Sequence, residues 1–291
     1  MNYSLIVTTV ILELIIICGV SWVLKVRSKM NTGEDFITSG RNLPTIAIAA
    51  TQALTALGGG HILGLPIASW QYGVAAYWYI IGSGLMLVIM LNFTGPWIRR
   101  FGFTTINQLF EKMFDMKTSI VMAGIAAGTV WGILTLETQG VGAVIAGMTG
   151  WSMIAGCVVG GCIGILYVIF GGMKEIGWVN VFNSVFMYVG ALIAVFYLGT
   201  KLPNGWQGVN DFHISNGNEW ALSIWANSDT WRTYIIGTIT ANLFYVAIGP
   251  QAAQVSASAK NVKAIRNAVF YAVPLNCIFG AIMIAFGMAS Q

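Results

Sequence analysis

Eight long apolar runs set the terms for this chain. They lie at roughly 4–24, 46–69, 74–96, 119–147, 151–171, 176–199, 232–256 and 267–289. Each can cross a hydrocarbon core, which takes about 20 residues of helix. No water reaches backbone amides at that depth, so such a run must close its own hydrogen bonds as a helix. The pattern predicts an all-α, polytopic membrane protein. Composition agrees, with 57% hydrophobic and 8% charged residues, against about 25% charged in a soluble domain. The net charge of +4 gives no reason to expect a nucleic-acid partner, and the lipid bilayer is the partner that composition demands. No linker or low-complexity segment divides residues 1–291, which read as one transmembrane domain.

Charge orients the spans. Lys25, Arg27 and Lys29 follow the first run instead of preceding it, so that run is not a cleavable signal peptide. Basic residues stay on the inner side, which places the N-terminus outside, in the plasma membrane. With that orientation only Lys201 and Arg232 of the 14 basic residues fall on outer segments. In the inner loop 97–118, Ile106, Leu109, Phe110 and Met113 have the spacing of an amphipathic helix lying on the membrane face. The outer loop 200–231 is rich in Asn, Gly and Trp and reads as an extracellular cap. Trp70, Trp78, Trp97, Trp151 and Trp178 cluster near span ends, as interfacial anchors do.

The second run contains "TALGGGHILGLP", residues 55–66. Gly58, Gly59 and Gly60 each weaken a helix by about 1 kcal/mol relative to alanine. Pro66 removes a backbone donor and opposes the turn before it. Together they predict an unwound stretch in mid-membrane. Five spans later "ANLFYVAIGPQAAQ" is interrupted likewise at Gly249 and Pro250. Two interrupted spans in matching positions are the sequence mark of an inverted-repeat transporter with its site between them. Glycines can also serve only to bring helices close, and composition alone leaves both explanations open.

Further motifs carry a resemblance. "EDFITSGRNLP" precedes the second span and "GLP" ends it; "GGMKEIGWVNVFN" enters the sixth; "ANLFY" and "QVSASAK" lie in the seventh. In order and spacing the chain resembles the sodium:solute symporter family. The resemblance implies a LeuT-like inverted-repeat helical bundle preceded by one extra span. On that pattern 4–24 is the extra span, 46–199 the first five-span repeat, and 232–289 the start of a second, incomplete repeat. It implies a sodium site built from the backbone carbonyls of Leu54 and Leu57. It also implies that His61, Tyr79, Ser83, Asn242 and Tyr245 face or gate a small polar solute. The chain departs from the family in three places. Gly58 stands where members often carry a hydroxyl, Asn180 where an aspartate lies near the inner sodium path, and Val255 where an arginine is common.

Glu137, in "LTLETQGVG", is the one carboxylate deep in a core span, and an ionisable group at that depth is a functional candidate. It could bind a cation, carry a proton or receive a basic group of the solute, or else be held by a neighbouring helix. Glu13 has the character of a structural residue of the first span. His213 reads as loop surface, and Lys174 with Glu175 as solvated charges. The four cysteines fall in apolar runs and read as packing residues.

These observations point to a secondary active transporter. It would import a small polar solute by alternating access coupled to a sodium gradient, with Na+ as coupling ion and no cofactor. A second chain could supply the spans the transporter would still need; the alternative is a truncated or non-transporting membrane sensor or assembly subunit that kept the scaffold. No HExxH, Ser/His or paired-aspartate arrangement suggests an enzyme.

Overall fold

The computed structural model describes residues 33–56 and 58–291, with isolated positions between 8 and 23. Glu13, Cys18, Leu57 and most of the expected span 4–24 lie outside the described residues. Among the described residues the chain is helical with no strand, and one isolated parallel bridge joins Leu43 to Ala259.

Helix α1 (Gly33–Thr38) leads to α2 (Thr45–Ala56) and α3 (Gly59–Tyr72), the two halves of the second run. α4 (Tyr77–Ile89) passes through a π turn at Met90–Thr94 into α5 (Gly95–Phe101). α6 (Ile106–Met113) is short; α7 (Met116–Thr149) and α8 (Met153–Lys201) are long. α9 (Trp206–Ser215) lies in the expected outer loop, and α10 (Ile236–Ile248), α11 (Pro250–Ala257) and α12 (Val262–Ala289) complete the chain. The stretches His61–Phe101, Met116–Thr149, Gly172–Lys201 and Val262–Ala289 are long and apolar enough to cross a membrane. Thr45–Thr55 and Met153–Ile165 are shorter apolar helices.

α8 holds both the fifth and sixth expected spans. Gly172 separates them with φ 59° and ψ −174°, a conformation open to glycine but strained for other residues. Phe36 of α1 also lies 2.8 Å from where a side chain on Gly172 would begin.

α2, α4 and α12 form the centre. Ala47, Ile48 and Ala49 pack with Met86 and Leu87 and with Ala264, Ile265, Ala268 and Ala272. Lipid is as apolar as leucine, so close van der Waals packing of small residues joins such helices. Gly287 of α12 illustrates this, since a side chain there would overlap Ser69 and Pro66 of α3. Pro66 accordingly does not unwind its helix. α3 runs through it to Tyr72, and the Ser69 hydroxyl donates to the Pro66 carbonyl at 2.9 Å. The missing donor is tolerated because the neighbouring helix holds the segment in place.

α7 and α8 turn large apolar side chains outward. Trp131, Ile154 and Phe196 are 75%, 77% and 71% exposed, surface that suits lipid and not water.

The segment 200–231, expected outside, is a packed cap. Ala221 sits against Gly73, where no side chain would fit. Trp78 Nε1 donates to the Ile224 carbonyl at 2.8 Å, and Trp225 stacks on Trp231 beside it. Trp78 is thus a cap-binding residue instead of a lipid anchor. His213, expected at the surface, is 0% exposed on α9, because the loop folds into a helix that packs against the 219–222 turn and α12.

On the opposite face, which carries most of the basic residues, Leu43 clasps the α11–α12 turn. Its N–H donates to Ser258 O at 2.9 Å and its carbonyl accepts from Lys260 N–H at 2.9 Å. Arg99 Nε donates to Ala259 O at 2.7 Å. α6 buries Ile106 and Leu109 as its spacing predicts, while Met113 stays exposed. Glu175 is 3% exposed and not solvated, since the start of the second half of α8 is covered by the segment around α1 and α2.

Candidate functional site

The second run breaks where glycines were expected to break it, but over a narrower stretch. Gly58 is extended, with φ −70° and ψ −167°, and caps α3. Its carbonyl accepts from His61 N–H at 2.8 Å and Ile62 N–H at 3.1 Å. Gly59 and Gly60 are already in the first turn of α3. Among the described residues Gly58 is the one extended position of the break, and α7 crosses at this point. A Cβ on Gly140 would lie 2.8 Å from the Gly59 Cα, so the two backbones touch. Break and close packing, the two explanations the sequence left open, therefore coexist.

Glu137, one turn before Gly140 on α7, fills the space beside Gly58. Its Oε2 accepts the Gly59 N–H at the start of α3. That N–H is one of the four a helix start leaves without an internal partner, and the N-terminus adds partial positive charge. A side chain on Gly58 would overlap the Glu137 carboxylate. The absence of a hydroxyl residue at 58 and the presence of a carboxylate at 137 are thus one structural fact.

The second break behaves as its Gly-Pro sequence predicts. Gly249 is extended at φ −67°, ψ 102°, and Pro250 opens α11, the helical position where a missing N–H costs least. A Cβ on Gly249 would lie 2.6 Å from the Tyr245 ring, so the break lets that ring fold back along α10.

A cavity of about 300 Å³ lies beside these features, with walls from Gln52, Thr55, Gly58, His61, Tyr79, Ser83, Glu137, Asn242 and Tyr245, and apolar floor from Met86, Leu87, Ile133, Leu136 and Ala241. All six side chains anticipated as solute contacts are brought together here. His61 is 9% exposed, its ring meets Tyr79 edge-on at 5.1 Å between centroids, and its Nε2 has no partner among the described residues. Asn242 Nδ2 donates to Thr238 O at 2.8 Å within its own helix.

Ser83 is differently employed than expected. Its hydroxyl donates to Ile80 O at 3.0 Å and accepts from Asn276 Nδ2 at 2.7 Å. It ties α4 to α12, and its donor is already used. Asn276, 0% exposed, escaped notice in the sequence because one amide in an apolar run has no periodic signal. Gln52 and Thr55 were also missed. Polar residues three apart in a span, on the side leading to the break, could have revealed them.

Leu54 lies in the last turn of α2, where carbonyls have no partner within the helix; Leu57 is outside the described residues. Asn180 Nδ2 donates to Thr51 Oγ1 at 3.2 Å, joining α8 to α2 one turn before Leu54. No group of three or more His, Cys, Asp or Glu is gathered for a metal ion among the described residues.

Comparison with known proteins adds three findings. The model of the sodium:solute symporter family matches residues 36–291. The sodium/glucose cotransporter of Vibrio parahaemolyticus is 23% identical over 298 residues, covering 94% of this chain and 53% of that protein. The human sodium/iodide cotransporter is 25% identical over 197 residues, 67% of this chain and 30% of its own length. The chain thus spans about half, or less, of the length of these relatives. The solved substrate-bound, outward-open state of a Na+-coupled sialic acid symporter superposes with a TM-score of 0.82 at 18% identity, over 95% of this chain and 58% of that one. That likeness establishes a LeuT-like helical fold.

Proposed function

Because this chain belongs to the sodium:solute symporter family, we propose that it acts as a secondary active transporter, importing a small polar solute by alternating access coupled to a sodium gradient. The family and the relatives matched are transporters and not enzymes, and Na+ is a coupling ion in them rather than a cofactor. The observation that carries the proposal is the cavity at the break between α2 and α3, walled by aromatic rings and a few converging polar groups. Such a cavity is the usual form of a small-molecule site.

His61, Tyr79, Asn242, Tyr245 and Glu137 contact the solute in this mechanism. Ser83 offers only an acceptor, because its proton is taken. Sodium binds backbone carbonyls of Leu54, in the last turn of α2, and of Leu57. Neutral oxygens suit a hard cation, and a broken helix leaves them unsatisfied. Asn180, hydrogen-bonded to Thr51, lines the inner exit for the ion. Tyr245, folded against Gly249, closes over the solute. Membrane potential adds about 2.3 kcal/mol per charge for each 100 mV to the driving force.

The same reading assigns 46–199 to a first five-span repeat and 232–289 to the start of a second. The N-terminus lies outside the plasma membrane, and the outer cap around Trp225 covers the external entrance.

Uptake of radiolabelled sugars, amino acids and monocarboxylates into proteoliposomes tests the proposal. Accumulation should require an inward sodium gradient and collapse when that gradient is dissipated. Accumulation indifferent to sodium would remove the coupling, and none for any solute class would remove transport.

A further inference from the structure

Glu137 is the only acidic side chain among those that wall the cavity. No lysine or arginine lines it, and the Arg41–Glu34 ion pair lies elsewhere. What meets the carboxylate is the Gly59 N–H and the N-terminus of α3. A helix start is worth about half a positive charge, so it balances only part of the charge of an ionised carboxylate at that place. Unpaired charge at membrane depth is costly, and ionisable residues there pair with one another or lie along substrate and ion pathways. The second oxygen, Oε1, lies over Gly58, which is itself a wall of the cavity.

The other walls favour the same kind of occupant. Tyr79 and Tyr245 present aromatic rings, and the His61 ring lies edge-on to Tyr79. Aromatic faces attract a cation through the ring quadrupole, and more strongly in a desolvated site. Asn242 donates through its amide nitrogen and leaves its oxygen to accept, and the Ser83 hydroxyl, which already accepts from Asn276, keeps one lone pair. A negatively charged solute would meet a carboxylate with no lysine or arginine side chain in the wall to offset it.

We infer that the solute carries a positively charged nitrogen, an ammonium group, which the Glu137 carboxylate and the surrounding aromatic rings select. This inference rests on the proposal that the cavity is the solute site, and names the class of solute it takes.

The test uses charge-matched pairs on protein reconstituted in nanodiscs with sodium present: choline against 3,3-dimethylbutan-1-ol, and glucosamine against glucose. Binding is read by thermal stabilisation and by titration calorimetry. The cationic member of at least one pair should bind wild type about tenfold or more tightly than its neutral partner, the scale of a charge-assisted hydrogen bond. E137Q should abolish that preference, so that the two members of each pair bind alike. The glutamine keeps an acceptor for the Gly59 N–H, and the melt of ligand-free E137Q checks that the fold survives. The wild-type comparison stands whether or not the variant folds.

Sodium-dependent binding of the neutral members, or of lactate, with no advantage for the cationic ones would overturn the inference while the transporter proposal stood. Stabilisation by sodium chloride alone that E137Q removes, with no difference within the pairs, would assign Glu137 to the coupling ion and overturn it too. Absence of sodium-dependent binding or uptake by any probe of any charge would overturn both.

Discussion

Glu137 of α7 accepts the backbone N–H of Gly59, the first residue of α3, across a helix crossing where Gly140 lies against Gly59. The contact makes a remote helix part of the break. It caps α3 from outside its own segment, where Gly58 has no side chain to do so.

Gly58→Ala tests that arrangement. The backbone at Gly58 has a negative φ that alanine can adopt, so what excludes a methyl is the Glu137 carboxylate alone. The substitution should displace Glu137 and weaken solute binding about tenfold or more. In a Glu137→Ala background the same change should cost little. A double-mutant cycle on binding affinity measures the coupling, and additive effects would show that the two residues are independent.

Gly59→Leu should abolish solute binding while leaving membrane insertion intact. A Cβ there would lie 3.2 Å from the Gly140 Cα and 3.3 Å from Glu137 Oε2, and the rest of a leucine would force α3 and α7 apart. Insertion depends on total apolarity, which leucine raises. Glycosylation mapping reports insertion and calorimetry reports binding; retained affinity would mean the close approach of the helices is dispensable.

Asn276→Ala should lower stability by about 1–3 kcal/mol, the cost of losing a buried hydrogen bond. It removes the donor that Ser83 accepts at 2.7 Å, from a residue 0% exposed. Ser83→Ala should cost a similar amount and the two together little more than one, since they share one bond. Denaturant unfolding in detergent provides the comparison.

His213 should make the outer cap sensitive to acid. Burial pushes its imidazole below the ordinary value of 6.5, so the unfolded cap takes up the proton more readily than the folded one. Stability conferred by the neutral ring is full above about pH 6.5 and falls as pH drops below it, down to the folded value. The protection factors of residues 206–222, taken relative to the slower intrinsic exchange at lower pH, should fall between pH 7 and 5. His213→Gln should flatten that dependence; an unchanged profile would place the titrating group elsewhere.

The break at Gly249-Pro250 could be read from sequence because both residues act locally: proline suits a first helical position and glycine leaves room for the Tyr245 ring. The first break was legible in place but not in extent. Three glycines state that a helix is weak, and only the crossing of α7 decides that Gly59 and Gly60 remain helical. Pro66 shows the opposite error, where a local signal for disruption was overruled by Gly287 packing against it.

Sequence alone determined the membrane-spanning helical class, since apolar length and backbone hydrogen bonding leave no other economy in lipid. It also carried the family resemblance and the residues around the cavity, through motifs whose order is visible along the chain. Tertiary structure decided what those residues do. Ser83 is spent on Asn276, Glu175 and His213 are buried, and Glu137 occupies the space that a side chain at 58 would fill. Partners 78 or 193 residues apart in the chain leave no local periodic signal; only the packing of helices against one another brings them within reach.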